Sequence, residues 1–141
     1  MADGSDALVL ASTSPQRRAI LEQLRIPFTV VAPDYEEIGD DPVEHAAGKA
    51  RSVDGAGLTV LGVDTDVFVD GRRFGKAATP AEAVAMLERL AGGTHEVVSG
   101  LCLLGPSWEE LHRAVTLVEF RPLAEREIER YVEAGNPTTF R

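Results

Sequence analysis

A chain of 141 residues with 44% apolar and 26% charged side chains has material for one buried core, and its formal net charge of −9 leaves no broad basic face. That excludes a protein that clamps a nucleic-acid backbone, and no apolar run approaches the length of a membrane span. A single cysteine, Cys102, excludes an internal disulfide, and the acidic opening MADGSD is no signal peptide, so a cytoplasmic protein is expected.

In chain order, ALVLAS (7–12) is a short apolar run of the buried-strand type. Ser14 and Pro15 then form a helix start, with Ile20, Leu21 and Leu24 as the apolar face of a helix reaching about Arg25. PFTVVAP (27–33) reads as a second strand, and the acidic loop 34–41 leads to a short helix from Pro42 to about Arg51, weakened by Gly48. LTVLGV (58–63) is a buried-type strand, and VFVDGRRF (67–74) is a hairpin around Asp70-Gly71. Thr79, Pro80 and Glu82 make a capping box for a helix stopped by Gly92. HEVVSGLCLL (95–104) and AVTLVEF (114–120) read as strands joined by a polar excursion containing Trp108 and His112, and a last helix spans about Ala124 to Ala134. Helices alternating with strands, then a run of strands, define an α/β class with a mixed, twisted sheet flanked by helices, in one domain over 1–141.

Candidate chemistry gathers in three places. Arg17 and Arg18 fall in the first turn of the first helix, where the macrodipole favours acids; the pair either holds an anionic ligand or extends its stems into water. Asp64 and Asp66 follow an apolar strand, where ligands of open α/β sheets bind; two carboxylates there suit Mg²⁺ or an activated water, or else a hydrogen-bonded turn. Asp66 interrupts an otherwise apolar run, at a cost if it faces the core unpaired. Lys49 and Lys76 follow Gly48 and Gly75, either meeting phosphates or solvated at the surface. Acids and bases from separate segments suit phosphoryl or nucleotidyl chemistry. His45, His95 and His112 lack metal-ligand spacing, and Cys102, between Leu101 and Leu103, reads as a packed residue.

Over residues 7–135 the chain resembles the Maf family of nucleoside triphosphate pyrophosphatases. The segments that carry the likeness are LVLASTSPQRRAILEQLRIPFTVVAPDYEE, GKA, LGVDTDVFVDGRRFGK, AEAVAMLERLAGGTHEVVSGL and FRPLAEREIERYVEAG. The resemblance implies a Maf/ITPase-like fold and hydrolysis of a nucleoside triphosphate to monophosphate and pyrophosphate with a divalent cation, Mg²⁺ or Mn²⁺. Asp64 would accept the proton of the attacking water, and Glu37 would join it near the metal. Ser12, Arg17, Arg18, Lys49 and Lys76 would contact the triphosphate. Gln16 and Thr65 stand where the family selects the base; Thr65 matches the members that prefer dTTP and UTP, and Gln16 matches neither group. The partners implied are the nucleotide and, as is common in the family, a second copy in a homodimer, with neither nucleic acid nor membrane.

The sequence departs from that pattern in several places. It stops where the family continues into a glycine-rich segment, so the fold is expected to lack its C-terminal part. The helix before GKA is shorter, with Gly48 in place of a glutamate; Asp66 replaces an apolar residue and Ala77 a proline. Two alternatives stand beside the pyrophosphatase: a Maf remnant that binds nucleotide without turnover, and a haloacid-dehalogenase-like phosphatase using Asp64 as nucleophile and Asp66 as acid/base.

Overall fold

The computed structural model describes residues 7–74 and 77–134. Ten elements follow one another: β1 (Leu8–Ala11), α1 (Pro15–Gln23), β2 (Phe28–Val31), α2 (Pro42–Arg51), β3 (Thr59–Val69), β4 (Arg72–Phe74), α3 (Pro80–Leu90), β5 (Thr94–Leu104), β6 (Glu109–Glu119) and α4 (Glu125–Ala134). The sheet runs β2-β1-β3-β5-β6, with β4 paired to β3. β1 is parallel to both β2 and β3, whereas β4 is antiparallel to β3, so the sheet is mixed. The α/β class with helices around a mixed sheet is therefore found as expected.

Backbone contacts divide the chain into two compact units, the first running through Asp64 and including Ser99–Ala114, the second comprising Thr65–Val98 and the chain from Val115 on. The core of the first unit is built from small residues. Ala46, Ala47 and Ala50 of α2 pack with Val9, Ala11, Val60 and Cys102, which confirms Cys102 as a packed residue. Glycines in the strands let the helix come close. A Cβ at Gly62 would overlap the Ala46 carbonyl and stand 3.0 Å from the Ala50 nitrogen, and one at Gly100 would stand 2.5 Å from the Val43 nitrogen. α2 opens on Asp41, whose carboxylate accepts from the Val43 amide at 2.9 Å, with Pro42 at the first helical position.

In the second unit, Ala83 and Leu87 of α3 pack with Ile128 and Val132 of α4 around Ala77. The expected cap of α3 is present in altered form. Thr79 Oγ1 accepts from the Glu82 amide at 3.2 Å, but the Glu82 carboxylate reaches back to the amide of Ala78 rather than of Thr79. Asp70 (φ +51°) and Gly71 (φ +78°) both take the left-handed backbone that a two-residue hairpin turn needs. An apolar cavity of about 480 Å³ opens beside α3 and α4, with Leu87, Phe120 and Tyr131 in its wall. His95 also lines it, edge-on to Phe120, and burial lowers the His95 pKa and keeps its ring neutral.

Four sequence expectations need correction. Ile20 and Leu24, four residues apart, form one stripe of α1 and are 54% and 63% exposed; Leu21, on a neighbouring stripe, is the buried one. β3 does not break at Asp66 but runs on to Val69, with alternate residues from Val60 to Asp66 buried. Asp64 thus lies inside a long strand, not at its end. The polar excursion is also shorter than expected: Glu109 to Arg113, His112 among them, already belong to β6, which borders the sheet and is exposed throughout except for Val118. An edge strand exposed on both faces has no apolar alternation to reveal where it starts.

The cost foreseen for Asp66 is met by a partner. The side chain is 1% exposed, and Arg73 Nε of β4 approaches Asp66 Oδ2 at 3.0 Å as an ion pair, without the alignment of a hydrogen bond. Arg73 bridges to Phe68, so the contact is the diagonal one across an antiparallel pair.

Two expected outcomes follow from this packing. Gly62→Ala drives a methyl group against the backbone of α2 and should lower the free energy of unfolding by about 1–3 kcal/mol in urea at unchanged m-value. Arg73→Met removes a cation from a buried carboxylate and should cost roughly 3 kcal/mol, of which the double change Arg73→Met with Asp66→Val recovers part in the same denaturation assay.

Candidate functional site

The site is laid out where β1 ends. The last paired residues there are Ala11 and Gly62, and Asp64 lies two positions further along β3. After Ala11 the chain turns through Ser12 to Ser14 into α1. The buried Ser12 hydroxyl accepts from the Ser14 amide at 2.9 Å, which leaves its own O–H to donate. Ser14 caps α1 by accepting from the Arg17 amide at 3.4 Å, and its hydroxyl donates to Gln16 Oε1 at 3.0 Å. No acidic residue occupies the first turn of α1; Gln16 and Arg18 are exposed there and Arg17 is half-buried.

Four side chains of the first unit converge. From α2, Lys49 Nζ lies 3.1 Å from Asp64 Oδ1 and 3.6 Å from Glu37 Oε1, and also donates to the Val63 carbonyl at 3.4 Å. One turn earlier on the same helix face, the fully buried His45 places Nδ1 3.1 Å from Asp64 Oδ2, with Nε2 3.3 Å from the Ile38 carbonyl oxygen. A carbonyl only accepts, so Nε2 carries a proton; an ionised carboxylate only accepts, so Nδ1 carries one too. Both nitrogens of His45 thus face acceptors, an arrangement that favours the imidazolium.

The same contacts set the direction of both pKa shifts. Burial alone pulls the His45 pKa down, but the hydrogen bond and charge of Asp64, helped by Ile38 and Glu37, carry it above its ordinary value. Burial pushes Asp64 upward, yet Lys49 and His45 together hold its carboxyl below its ordinary value. The carboxylate is therefore ionised and doubly paired.

Glu37, His45 and Asp64 each present a ligand atom within 4.8 Å of the others, a set of two carboxylates and an imidazole that could hold a divalent cation. Glu37 and Asp64 had been expected there from the resemblance; His45 had not. Its signal was present in the four-residue spacing from Lys49 on a helix whose other buried residues are Pro42 and three alanines, a pattern invisible to rules for histidine pairs. Lys49, which taken alone reads as a surface lysine, is largely covered and ion-paired. Thr65 follows Asp64 on β3 and is half-buried. Lys76 lies outside the described residues. The phosphatase alternative requires Asp66 to be available as an acid/base, and its burial against Arg73 argues against that role.

The fold is similar to that of a solved structure described as the Staphylococcus aureus Ham1 protein, with a TM-score of 0.62 over 80% of this chain and 71% of that one, at 18% identity. That likeness defines the architectural class. Residues 7–140 match the family described as Maf-like protein, and the chain belongs to that family. Among its curated relatives is a dTTP/UTP pyrophosphatase of Symbiobacterium thermophilum, 44% identical over 92% of this chain and 72% of the relative. Proteins of the same description from Akkermansia muciniphila (38%, over 89% and 71%) and Thermococcus gammatolerans (42%, over 92% and 74%) are similar over the same region.

The clamp sets a pH signature. A raised histidine pKa gives stability that is complete below the ordinary value of 6.5 and is lost as pH rises through the folded value. A depressed carboxylate gives stability present above 3.8 and lost as pH falls through its folded value. The difference in Tm between the parent chain and His45→Gln should therefore be greatest between those two values and shrink as pH climbs past 6.5. A difference that stays constant across that climb refutes the imidazolium.

Proposed function

We propose that this protein hydrolyses a pyrimidine nucleoside triphosphate, dTTP or UTP, to the nucleoside monophosphate and pyrophosphate. The observation that carries the reading is the Asp64 cluster beside the β1–α1 turn, in a chain similar to dTTP/UTP pyrophosphatases over most of its length. The Ser12 hydroxyl, the α1 amino end with Arg17 and Arg18, and Lys49 with Lys76 bind the phosphates. Amide dipole and guanidinium there attract the same anion. Gln16 and Thr65 contact the base.

Asp64 accepts the proton of the attacking water. Held low by two cations, its carboxylate is a weak base while the site is empty of nucleotide. Lys49 is the cation a phosphate competes for, because it is shared between Glu37 and Asp64. As Lys49 turns to the triphosphate, Asp64 loses one of its two counter-charges and becomes more basic. His45 stays behind and fixes the carboxylate's orientation through Oδ2.

Glu37 and Asp64 would hold Mg²⁺ or Mn²⁺, with His45 orienting Asp64 beside them. When bound, such a cation supplies charge neutralisation at the phosphates and acidifies a water. The reading also includes a cytoplasmic location and a homodimer.

The test is pyrophosphate release from dTTP, UTP, CTP, GTP and methylated nucleotides with Mg²⁺ or Mn²⁺. Release is expected from the pyrimidine nucleotides, and Asp64→Asn should lower kcat by about 10²–10⁴-fold, the range of a general base. Release that survives Asp64→Asn, or none from a folded chain, overturns the reading.

A further inference from the structure

Gly48 is an odd residue to keep inside a helix. Glycine there costs about 1 kcal/mol relative to alanine, and neither a turn nor a positive φ asks for it. The reason lies outside the helix. A Cβ at Gly48 would enter the ring of Tyr35, standing 2.5 Å from Tyr35 Cδ1 and closer still to the two ring atoms beyond it. The ring fills the space a side chain would take, and lies 6.2 Å from the His45 ring, tilted by 57°.

Tyr35 belongs to the acidic segment 34–41, which has no helix or strand of its own. Every other residue of that segment is exposed, including the apolar Ile38 at 73%; Tyr35 alone is half-buried. Yet this segment delivers two groups to the site: the Glu37 carboxylate, 3.6 Å from Lys49, and the Ile38 carbonyl, on His45 Nε2. At its start the Asp34 amide donates to Ser52 Oγ, just past the end of α2. Exposed side chains give a loop little reason to stay in place. A ring seated on the backbone of α2, on the helix that also carries His45 and Lys49, does.

We propose that Tyr35, seated in the notch left by Gly48, is the positioning residue that holds Glu37 and the Ile38 carbonyl against the Asp64 cluster. The inference deepens the proposed function, since Glu37 matters to the reaction only through that site. Tyr35 touches no reacting atom. Its contribution is the ring rather than the hydroxyl, because the overlap with Gly48 is made by ring carbons.

The experiment reads the position of Glu37 directly. A water-soluble carbodiimide condenses a carboxylate with an amine only at contact distance, so mass spectrometry of the treated full chain reports two products, Lys49–Glu37 and Lys49–Asp64. The second is an internal control for a correctly folded α2 and β3. Tyr35→Phe should retain both products. Tyr35→Ala and Gly48→Ala should each lose Lys49–Glu37 while keeping Lys49–Asp64, and the double substitution should lose no more than either alone. Survival of Lys49–Glu37 in Tyr35→Ala or Gly48→Ala overturns the proposal, as does its loss in Tyr35→Phe. The coupling needs no metal, nucleotide or turnover. A chain that passes it but releases no pyrophosphate refutes the reaction and leaves the positioning role standing.

Discussion

Everything at the site depends on how closely α2 lies on the strands beneath it. Ordinary side chains hold a helix well off a sheet; here Ala46 and Ala50 meet Gly62 of β3, the backbone of Pro42 and Val43 meets Gly100 of β5, and helix and strands lie close together. The α2 side chains of that core are alanines, so the stabilisation of the contact comes from dense packing rather than from large apolar groups. Its consequence is chemical. A short lysine-to-carboxylate contact and a histidine-to-carboxylate contact, both made from one helix face to one strand residue, require that separation.

Asp64 is held by two cations from the same helix, and these differ in kind. Lys49 is a flexible point charge with a second partner in Glu37, so its loyalty is divided. His45 is a rigid ring fixed at both nitrogens and wholly buried, so it stays where it is. One counter-charge can leave when a competing anion arrives and the other keeps the carboxylate aimed. A pair of lysines would give up orientation, and a pair of histidines would give up responsiveness.

How much of this was legible beforehand follows from where each signal resides. The Thr79-Pro80-Glu82 start, the Asp70-Gly71 turn and the Ser14-Pro15 entry are local chemistry, and each produced its element. The start of β6 was hidden because exposure on both faces erases the alternation by which strands are read. Ile20 and Leu24 misled because an apolar stripe states a preference for burial and not that something covers it. At the site, the matched motifs named Glu37, Lys49 and Asp64, but His45 emerged only once the helix had been set on its strand. The partner of Asp66 was equally out of reach, since a diagonal across a hairpin depends on register.

The glycine at 48 and the tyrosine at 35 illustrate a dependence that neither position shows alone. Either one, taken singly, invites replacement: the glycine by a better helix former, the tyrosine by a more soluble residue. Fitted together, they close off those routes, because an improvement to the helix evicts the ring and removal of the ring leaves a hole over the helix. Substitutions that enlarge residue 48 or remove the ring at 35 are therefore expected to couple.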